Sequence, residues 1–542
     1  MSTHNEHESA EITEQNLPIV EYDAVVVGAG FGGMYALHKL REAGLSVVGF
    51  DAAPDVGGTW YWNRYPGARC DIPSVLYSYS WSPELRAEWE WSEMFAGQPE
   101  ILRYAQFVAD RLDLRPLVRF NTRVKAASFD EQASRWTVHT TNAGAVTARY
   151  CVMALGNLSA PHLPTIHGIT DFAGQILHTA QWPRETVDFT GKRVAVIGTG
   201  SSGIQVIPKI AEAAEHVVVL QRTPAFSLPA RNRPLDDATR EFLEQTLPLH
   251  KASADRGRIP SDAYTAPVPS REEQWRKYEE LWNAGGAMFI AGGYPNVLVD
   301  ESVNNEAAEF LRSKIRQRVD DPVTAEDLCP TDYPYGVKRA CLDTDYYETY
   351  NRPNVSLVNL RRDPIVTISA DTVVTETGTH AIDVLVLATG FDAMTGALNA
   401  VDIAGIDGIR LADAWRDGPK TYLGIATAGF PNLFLLTGPG GVSVIGNVLL
   451  NNEHHVEWMT DFITYLRSHD ATRFVASQDA QDKWMTGVAE MAERSLFLKA
   501  DSWYLGANVP GKPRVFMPYI GSGYQTRLAE IADVGYPGFT IT

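Results

Sequence analysis

The sequence predicts an α/β protein with two doubly wound parallel-sheet units and a helical insertion in the second. Three observations predict it: a strand–glycine loop–helix–strand unit near the N-terminus, a second copy of that unit, and a charged, strand-poor stretch from about Pro229 to Asp332. The first unit opens on Tyr22-Asp23-Ala24-Val25-Val26-Val27, a continuous apolar run typical of a strand buried on both faces. Gly28-Ala29-Gly30-Phe31-Gly32-Gly33 follows, then the helical spacing of Met34, Ala36, Leu37 and Leu40 and a stop at Gly44. Leu45 to Phe50 reads as the next strand and ends on Asp51. In such a G-x-G-x-x-G loop the first glycine makes a tight turn, the second admits a pyrophosphate, and the last lets helix pack on strand. Asp51, 23 positions after Gly28, is placed to accept ribose hydroxyls.

The second unit has the strand Lys192–Ile197, the loop Gly198-Thr199-Gly200-Ser201-Ser202-Gly203, a helix from Ile204 and the strand His216–Leu220. Counting 23 from Gly198 reaches Gln221, followed by Arg222, where the first unit has its acid. A carboxylate there repels a 2′-phosphate and an arginine accommodates it. The two Rossmann-like units therefore differ in specificity: the first suits FAD, the second NADPH. Strands at Tyr150–Leu155 and Ile382–Ala388 each end on a small residue and glycine, as crossings between two such domains do. The expected organisation is a disordered acidic tail (1–21), an FAD-binding domain (22–155 and 386–542), an NADP-binding domain (156–228 and 333–385) and the helical insertion (229–332). Within the insertion Ala307, Leu311, Ile315 and Val319 recur at i, i+4, the apolar face of one helix.

Composition bounds the class of partner. The chain of 542 residues is long enough for two or three domains, and its 45% hydrophobic and 21% charged content is that of a globular protein. A net charge of −19 argues against nucleic acid or an anionic membrane as partner, so any phosphate must be held by local cations. No apolar run approaches the ~20 residues that span a bilayer, and no signal peptide is visible in the polar, Glu-rich start. Four cysteines without a C-x-x-C fit a reduced, cytoplasmic setting and exclude the disulfide-reductase chemistry of some two-dinucleotide flavoproteins. A metal site and a serine hydrolase are not expected: there is neither H-E-x-x-H nor G-x-S-x-G, and His454-His455 has no further ligand spacing.

Ahead of the second unit stands Phe172-Ala173-Gly174-Gln175-Ile176-Leu177-His178-Thr179-Ala180-Gln181-Trp182-Pro183. This F-x-G-x-x-x-H-x-x-x-W-P stretch resembles the fingerprint of type I Baeyer–Villiger monooxygenases. The segment from Gly57 to Asp71, Tyr335-Gly336-Val337-Lys338-Arg339 and Trp503-Tyr504-Leu505-Gly506-Ala507-Asn508 are similar to further motifs of that family, closest to its phenylacetone and steroid monooxygenase branch. The resemblance implies oxidation of a hydrophobic ketone to an ester or lactone with NADPH and O2, through a C4a-peroxyflavin stabilised by Arg339. An arginine suits that role because it stays charged and offers a fork of donors. Asp71 would pair with Arg339, and Lys338 would join Arg222 on the 2′-phosphate. On the FAD side the resemblance adds Gly32, Thr59, Trp60, Trp62, Tyr77, Val124 and Val448 to Gly28, Gly30, Gly33 and Asp51. On the NADP side it adds Gln205, Thr223 and Trp503 to Thr199, Gly200, Ser201, Ser202 and Gly203.

The bland readings carry weight for the rest. His178 reads as an interdomain hydrogen-bond holder and Trp182 as a packing anchor; Asp343, Asp345 and Tyr346-Tyr347 read as structural. The loop Thr437–Asn447 lines the pocket by resemblance, with Gly441 and Val442 where relatives often carry Ser-Pro, a change expected to loosen or enlarge it. An N- or S-oxygenating flavin monooxygenase of the same fold is the alternative, disfavoured by Trp182-Pro183 and Lys338-Arg339. A monomer is expected.

Overall fold

The computed structural model describes residues 20–254, 259–286, 289, 293–442 and 446–542; residues 1–19 of the expected acidic tail and 443–445 of the pocket loop lie outside that range. Strand β1 (Val20–Val27) sits between β2 (Val47–Phe50) and β6 (Ala145–Met153) and runs parallel to both. Ala24 to Val27 are buried on both faces, which is why this run is apolar without alternation. β3 (Val118–Arg119) extends one side; on the other, β5 (Arg135–Thr140) and β4 (Val124–Asp130) continue the sheet antiparallel. β6 begins before the expected Tyr150, because its first half pairs with β5. The β4–β5 hairpin was not legible as such: it alternates buried and exposed positions, a weaker signal than a continuous apolar run.

The second sheet is wholly parallel. It is built from β7 (Gln175–His178), β8 (Arg193–Ile197), β9 (His216–Gln221), β12 (Val355–Asn359) and β16 (Val384–Leu387), in the order β12-β9-β8-β16-β7. A parallel pair, β10 (Ser227–Pro229) and β11 (Cys341–Asp343), and an antiparallel trio, β13 (Ile365–Ile368), β14 (Thr372–Thr375) and β15 (Thr379–Ala381), flank it. After β16 the chain returns to the first sheet, where β17 (Asp402–Ala404) pairs with β4 and β18 (Leu433–Leu435) with β6. The antiparallel pair β19 (Phe474–Ala476) and β20 (Phe539–Ile541) closes the chain. The α/β class with two parallel-sheet units is thus what the chain folds into.

Between β10 and β11 the chain is helical, with helices at Asp237–Ala254, Arg271–Ala284, Glu301–Arg318 and Pro322–Leu328. Glu301–Arg318 buries Ala307, Leu311 and Ile315 along the expected stripe, and Val319 terminates it. Asp300 caps its start by accepting from the Ser302 and Val303 amides, and a Ser270–Glu273 capping box starts Arg271–Ala284. Among the described residues no helix is long and apolar enough to cross a membrane.

Candidate functional site

Both glycine loops are built alike. A Cβ at Gly33 would lie 1.8 Å from the Gly28 carbonyl oxygen, and one at Gly203 2.2 Å from that of Gly198. Gly28 and Gly198 have φ of +110° and +105°, and a Cβ on either would come within 2.4 Å of the carbonyl oxygen of Ala154 or Ala388. The small residues at the two strand ends therefore seat the loops. The middle glycines differ: a Cβ at Gly200 meets nothing within 4 Å, and one at Gly30 only Gly58, at 3.4 Å. Helices Phe31–Glu42 and Ser201–Ala211 start behind these glycines without side-chain caps, leaving first-turn amides to hold an anion. Gly32 instead lies against the Asn452 amide.

Around the first loop, Asp51 accepts from the Ala29 amide at 2.6 Å and the Ala53 amide at 2.7 Å. One lone pair on each oxygen remains for a ribose. Burial raises its pKa in spite of those donors. Thr59, Trp60 and Trp62 form a one-turn helix, Thr59–Trp62, with Thr59 and Trp62 exposed. The Trp60 indole donates to the Tyr77 hydroxyl at 3.0 Å. Val448 begins the helix Val448–Ser468, where Asn447 caps the Leu449 amide. The Val124 side chain is in the core, so only its backbone is left for a ligand.

At the second loop, buried Thr199 donates to the Thr223 carbonyl and fixes the segment after β9 against it. Gly200 and Ser201 are exposed beside it, as is Arg222. Gln221 is turned inward, its amide donating to the Asp327 carbonyl at 2.7 Å. Lys338 lies over the Tyr333 ring at 4.3 Å; burial, then the nearby Arg222, pushes its pKa down. Two cations thus face one locality, as a 2′-phosphate needs. Asp501, two residues before Trp503, has a lowered pKa because of Arg514, with Lys338 and Arg222 adding to the effect. Trp503 itself is half-buried, its ring 4.3 Å from that of Tyr504.

The units meet at an ion pair. Arg339 donates to Asp71 twice, Nε to Oδ2 at 2.5 Å and an Nη to Oδ1 at 2.9 Å, across 268 positions of sequence. The two side chains are 26% and 28% exposed. Burial opposes the guanidinium charge, but the Asp71 carboxylate more than offsets it and holds the pKa above the ordinary arginine value. Gln205 also ties the two units together. Its amide accepts from the Tyr65 hydroxyl and the Arg69 amide and donates to the Arg69 carbonyl, locking the second helix onto the segment that carries Asp71. Tyr65 and Arg69 were missed as locking residues, for only the fold brings them to Gln205.

The F-x-G-x-x-x-H-x-x-x-W-P residues gather elsewhere. A Cβ at Gly174 would meet the Asp383 carbonyl oxygen at 2.4 Å and the Phe172 ring at 2.5 Å. His178 Nδ1 accepts from the Ala180 amide, and its Nε2 faces the Thr389 hydroxyl and the His162 carbonyl. Burial lowers its pKa. Trp182 is buried against Phe189, with Pro183 next to it. Asp343 is enclosed by Arg318 and the Ser227 hydroxyl.

The described part of the pocket loop, Thr437–Val442, is bonded to several other segments. The Pro439 carbonyl accepts from Thr421, the Gly440 carbonyl from Trp484, and the Gly441 carbonyl from the Tyr519 amide; the Gly438 amide donates to the Gly424 carbonyl. The Thr437 amide donates to His455 Nδ1, His455 Nε2 donates to the Tyr524 hydroxyl, and that hydroxyl donates to the Leu423 carbonyl. Burial drives the His455 pKa down to about 3. The unfolded chain therefore binds a proton that the folded chain refuses between about pH 6.5 and 3, and stability falls on acidification through that window. The expected slope is about 1.4 kcal/mol per pH unit for this proton. Chemical denaturation at pH 7, 6 and 5 should show a steeper loss for the native chain than for His455→Gln; equal slopes refute the assignment.

Comparison with known proteins follows the same lines. A sequence model of the family described as pyridine nucleotide-disulphide oxidoreductase matches residues 22–250. Yet the four cysteines here are free and buried, and burial raises the pKa of each thiol, against disulfide exchange. The chain is 41% identical over 527 residues to a Baeyer–Villiger monooxygenase of Pseudooceanicola batsensis, covering 95% of both chains. It is 41% identical over 529 residues to a phenazine N-monooxygenase of Lysobacter antibioticus, covering 96% of this chain and 97% of that one. The solved structure of an oxidised steroid monooxygenase bound to NADP superposes with a TM-score of 0.90 at 48% identity, covering 96% of this chain and 99% of that one.

Proposed function

The chain belongs to the Baeyer–Villiger monooxygenases, FAD- and NADP-dependent oxidoreductases, and from that premise we propose that it converts a hydrophobic ketone into an ester or lactone. The balance is ketone, O2, NADPH and a proton giving ester, NADP⁺ and water. Bound FAD supplies the acceptor for hydride and the means of activating O2. The observation that carries the reading is Arg339, clamped twice by Asp71 at the seam between the two units.

The first sheet and its glycine loop are the FAD-binding part, with Gly28, Gly30, Gly33, Asp51, the Thr59–Trp62 turn and Val448 around the cofactor. The second sheet binds NADPH, the Gly198–Gly203 loop taking the pyrophosphate and Arg222 and Lys338 the 2′-phosphate. Arg339 supplies a fixed cation that no working pH removes, where negative charge develops on oxygen. Asp71 holds the guanidinium plane in one orientation, so little reorganisation is left for the reaction itself. Both units must be docked for this, and Gln205 with Tyr65 keeps them so. The enzyme works in the cytoplasm, as a monomer.

The likeness to an N-oxygenating enzyme at the same identity favours a second reading, oxygenation of an aromatic nitrogen. One experiment separates the two: the FAD-loaded protein is mixed with NADPH under air and offered a ketone panel and a phenazine. Ester mass supports the proposal. N-oxide without ester from any ketone overturns it.

A further inference from the structure

We infer that Arg361 is a third arm of the 2′-phosphate grip, held by Asp332 until the phosphate takes the place of that carboxylate. The inference deepens the NADPH reading above and rests on it. β12 runs parallel to β9 with Asn359 opposite Gln221, and the Leu360 amide donates to the Gln221 carbonyl at 2.8 Å. That register sets Arg361 beside Arg222 and Thr223, just past the strand end where nucleotide specificity is decided. The Arg361 guanidinium donates to the Thr223 hydroxyl at 3.2 Å and is ion-paired with Asp332. Thr223 is itself bonded to Thr199 of the glycine loop, so the guanidinium reaches the phosphate-binding loop through one residue. Besides burial, Arg222 and Arg361 both push the Lys338 pKa down, as cations set together by this register do.

Arg361 and Asp332 are 45% and 33% exposed, so their pair is exchangeable. An exposed ion pair of this kind contributes little, whereas a dianionic phosphate offers the same fork stronger, charge-assisted bonds. Asp332 also attracts Lys338, so it screens two of the three cations while the site holds no nucleotide.

The test is titration calorimetry of the FAD-loaded full chain with 2′,5′-ADP and, as the probe lacking the 2′-phosphate, 5′-ADP. Arg361→Ala is expected to weaken 2′,5′-ADP about tenfold and leave 5′-ADP unchanged. Arg361→Lys should recover part of the loss. Asp332→Asn, which removes the competitor, should tighten 2′,5′-ADP alone. Equal effects of Arg361→Ala on both probes, or none on either, overturn the inference, as does weaker 2′,5′-ADP binding by Asp332→Asn. Arg222→Ala separates the two levels. If it discriminates between the probes and Arg361→Ala does not, only the third arm is lost; if neither discriminates, the site reading itself falls.

Discussion

Arg339→Ala is expected to lower ester formation by at least about 10²–10³-fold while the protein stays folded and yellow. That is the usual loss when one preorganised donor is removed from developing negative charge. Here it is a lower bound, because the change also leaves the Asp71 carboxylate without its two donors, in a seam where it is 28% exposed. Arg339→Lys keeps the charge but not the paired geometry, since an ammonium cannot reproduce the two parallel bonds, so it should fall between the alanine variant and the native enzyme. The readouts are ester by mass, hydrogen peroxide, and NADPH consumption. NADPH oxidation should persist to some extent, with its electrons ending in peroxide instead of ester. Ester at the native rate from Arg339→Ala would show that the cation is structural only.

Gly33→Ala and Gly203→Ala are expected to fail in different ways, although they occupy equivalent places. In each, the added methyl would lie far inside contact distance of a backbone oxygen, 1.8 Å from Gly28 and 2.2 Å from Gly198. Neither oxygen sits on a flexible side chain, so the loop or the helix must move. Overpacking of this kind costs about 1–3 kcal/mol and sometimes more, equivalent to a loss of affinity of about five- to 150-fold where the bound loop carries the strain. Gly33→Ala should therefore purify pale, with FAD absent or released on dilution. Gly203→Ala should stay yellow, yet need at least about fivefold more NADPH for half-maximal flavin reduction. A pale Gly203→Ala, or a Gly33→Ala that keeps its FAD, would reverse the assignment of the two units. The FAD content is read by absorbance and the reduction by stopped flow.

Much of the site was legible because its signals are local. A glycine loop between an apolar strand and a helix is complete within a short segment, and the contrast of Asp51 with Gln221-Arg222 needs only a count along the chain. Gln205 shows the limit. Its place on the first turns after the glycine loop suggests a cofactor ligand by analogy, while its bonds to Tyr65 and Arg69, 140 and 136 positions away, are given only by the fold. The Gly441-Val442 pair shows another. Without a proline the backbone alone suggests a looser or larger pocket, and the bonds from Thr421, Trp484, Tyr519 and His455, in four other segments, are given only by the fold. Arg361 drew no attention in the sequence, since an arginine after a strand is ordinarily a solvated charge.

By itself the sequence determined the α/β class and the two glycine loops, because these depend on residues within one strand–loop–helix–strand unit; the contrast of Asp51 with Gln221-Arg222, on which the proposed preferences rest, is equally local. The resemblance pointed to the Arg339–Asp71 pair, but only the tertiary structure decided its two-bond geometry, the Gln205 bonds to Tyr65 and Arg69, the bonds that hold the Thr437–Val442 loop and the place of Arg361 beside Thr223. The reason is physical. Turn geometry and strand burial are dictated by neighbours in the chain, but a charge or an amide is given its partner by whichever distant segment the two sheets bring against it.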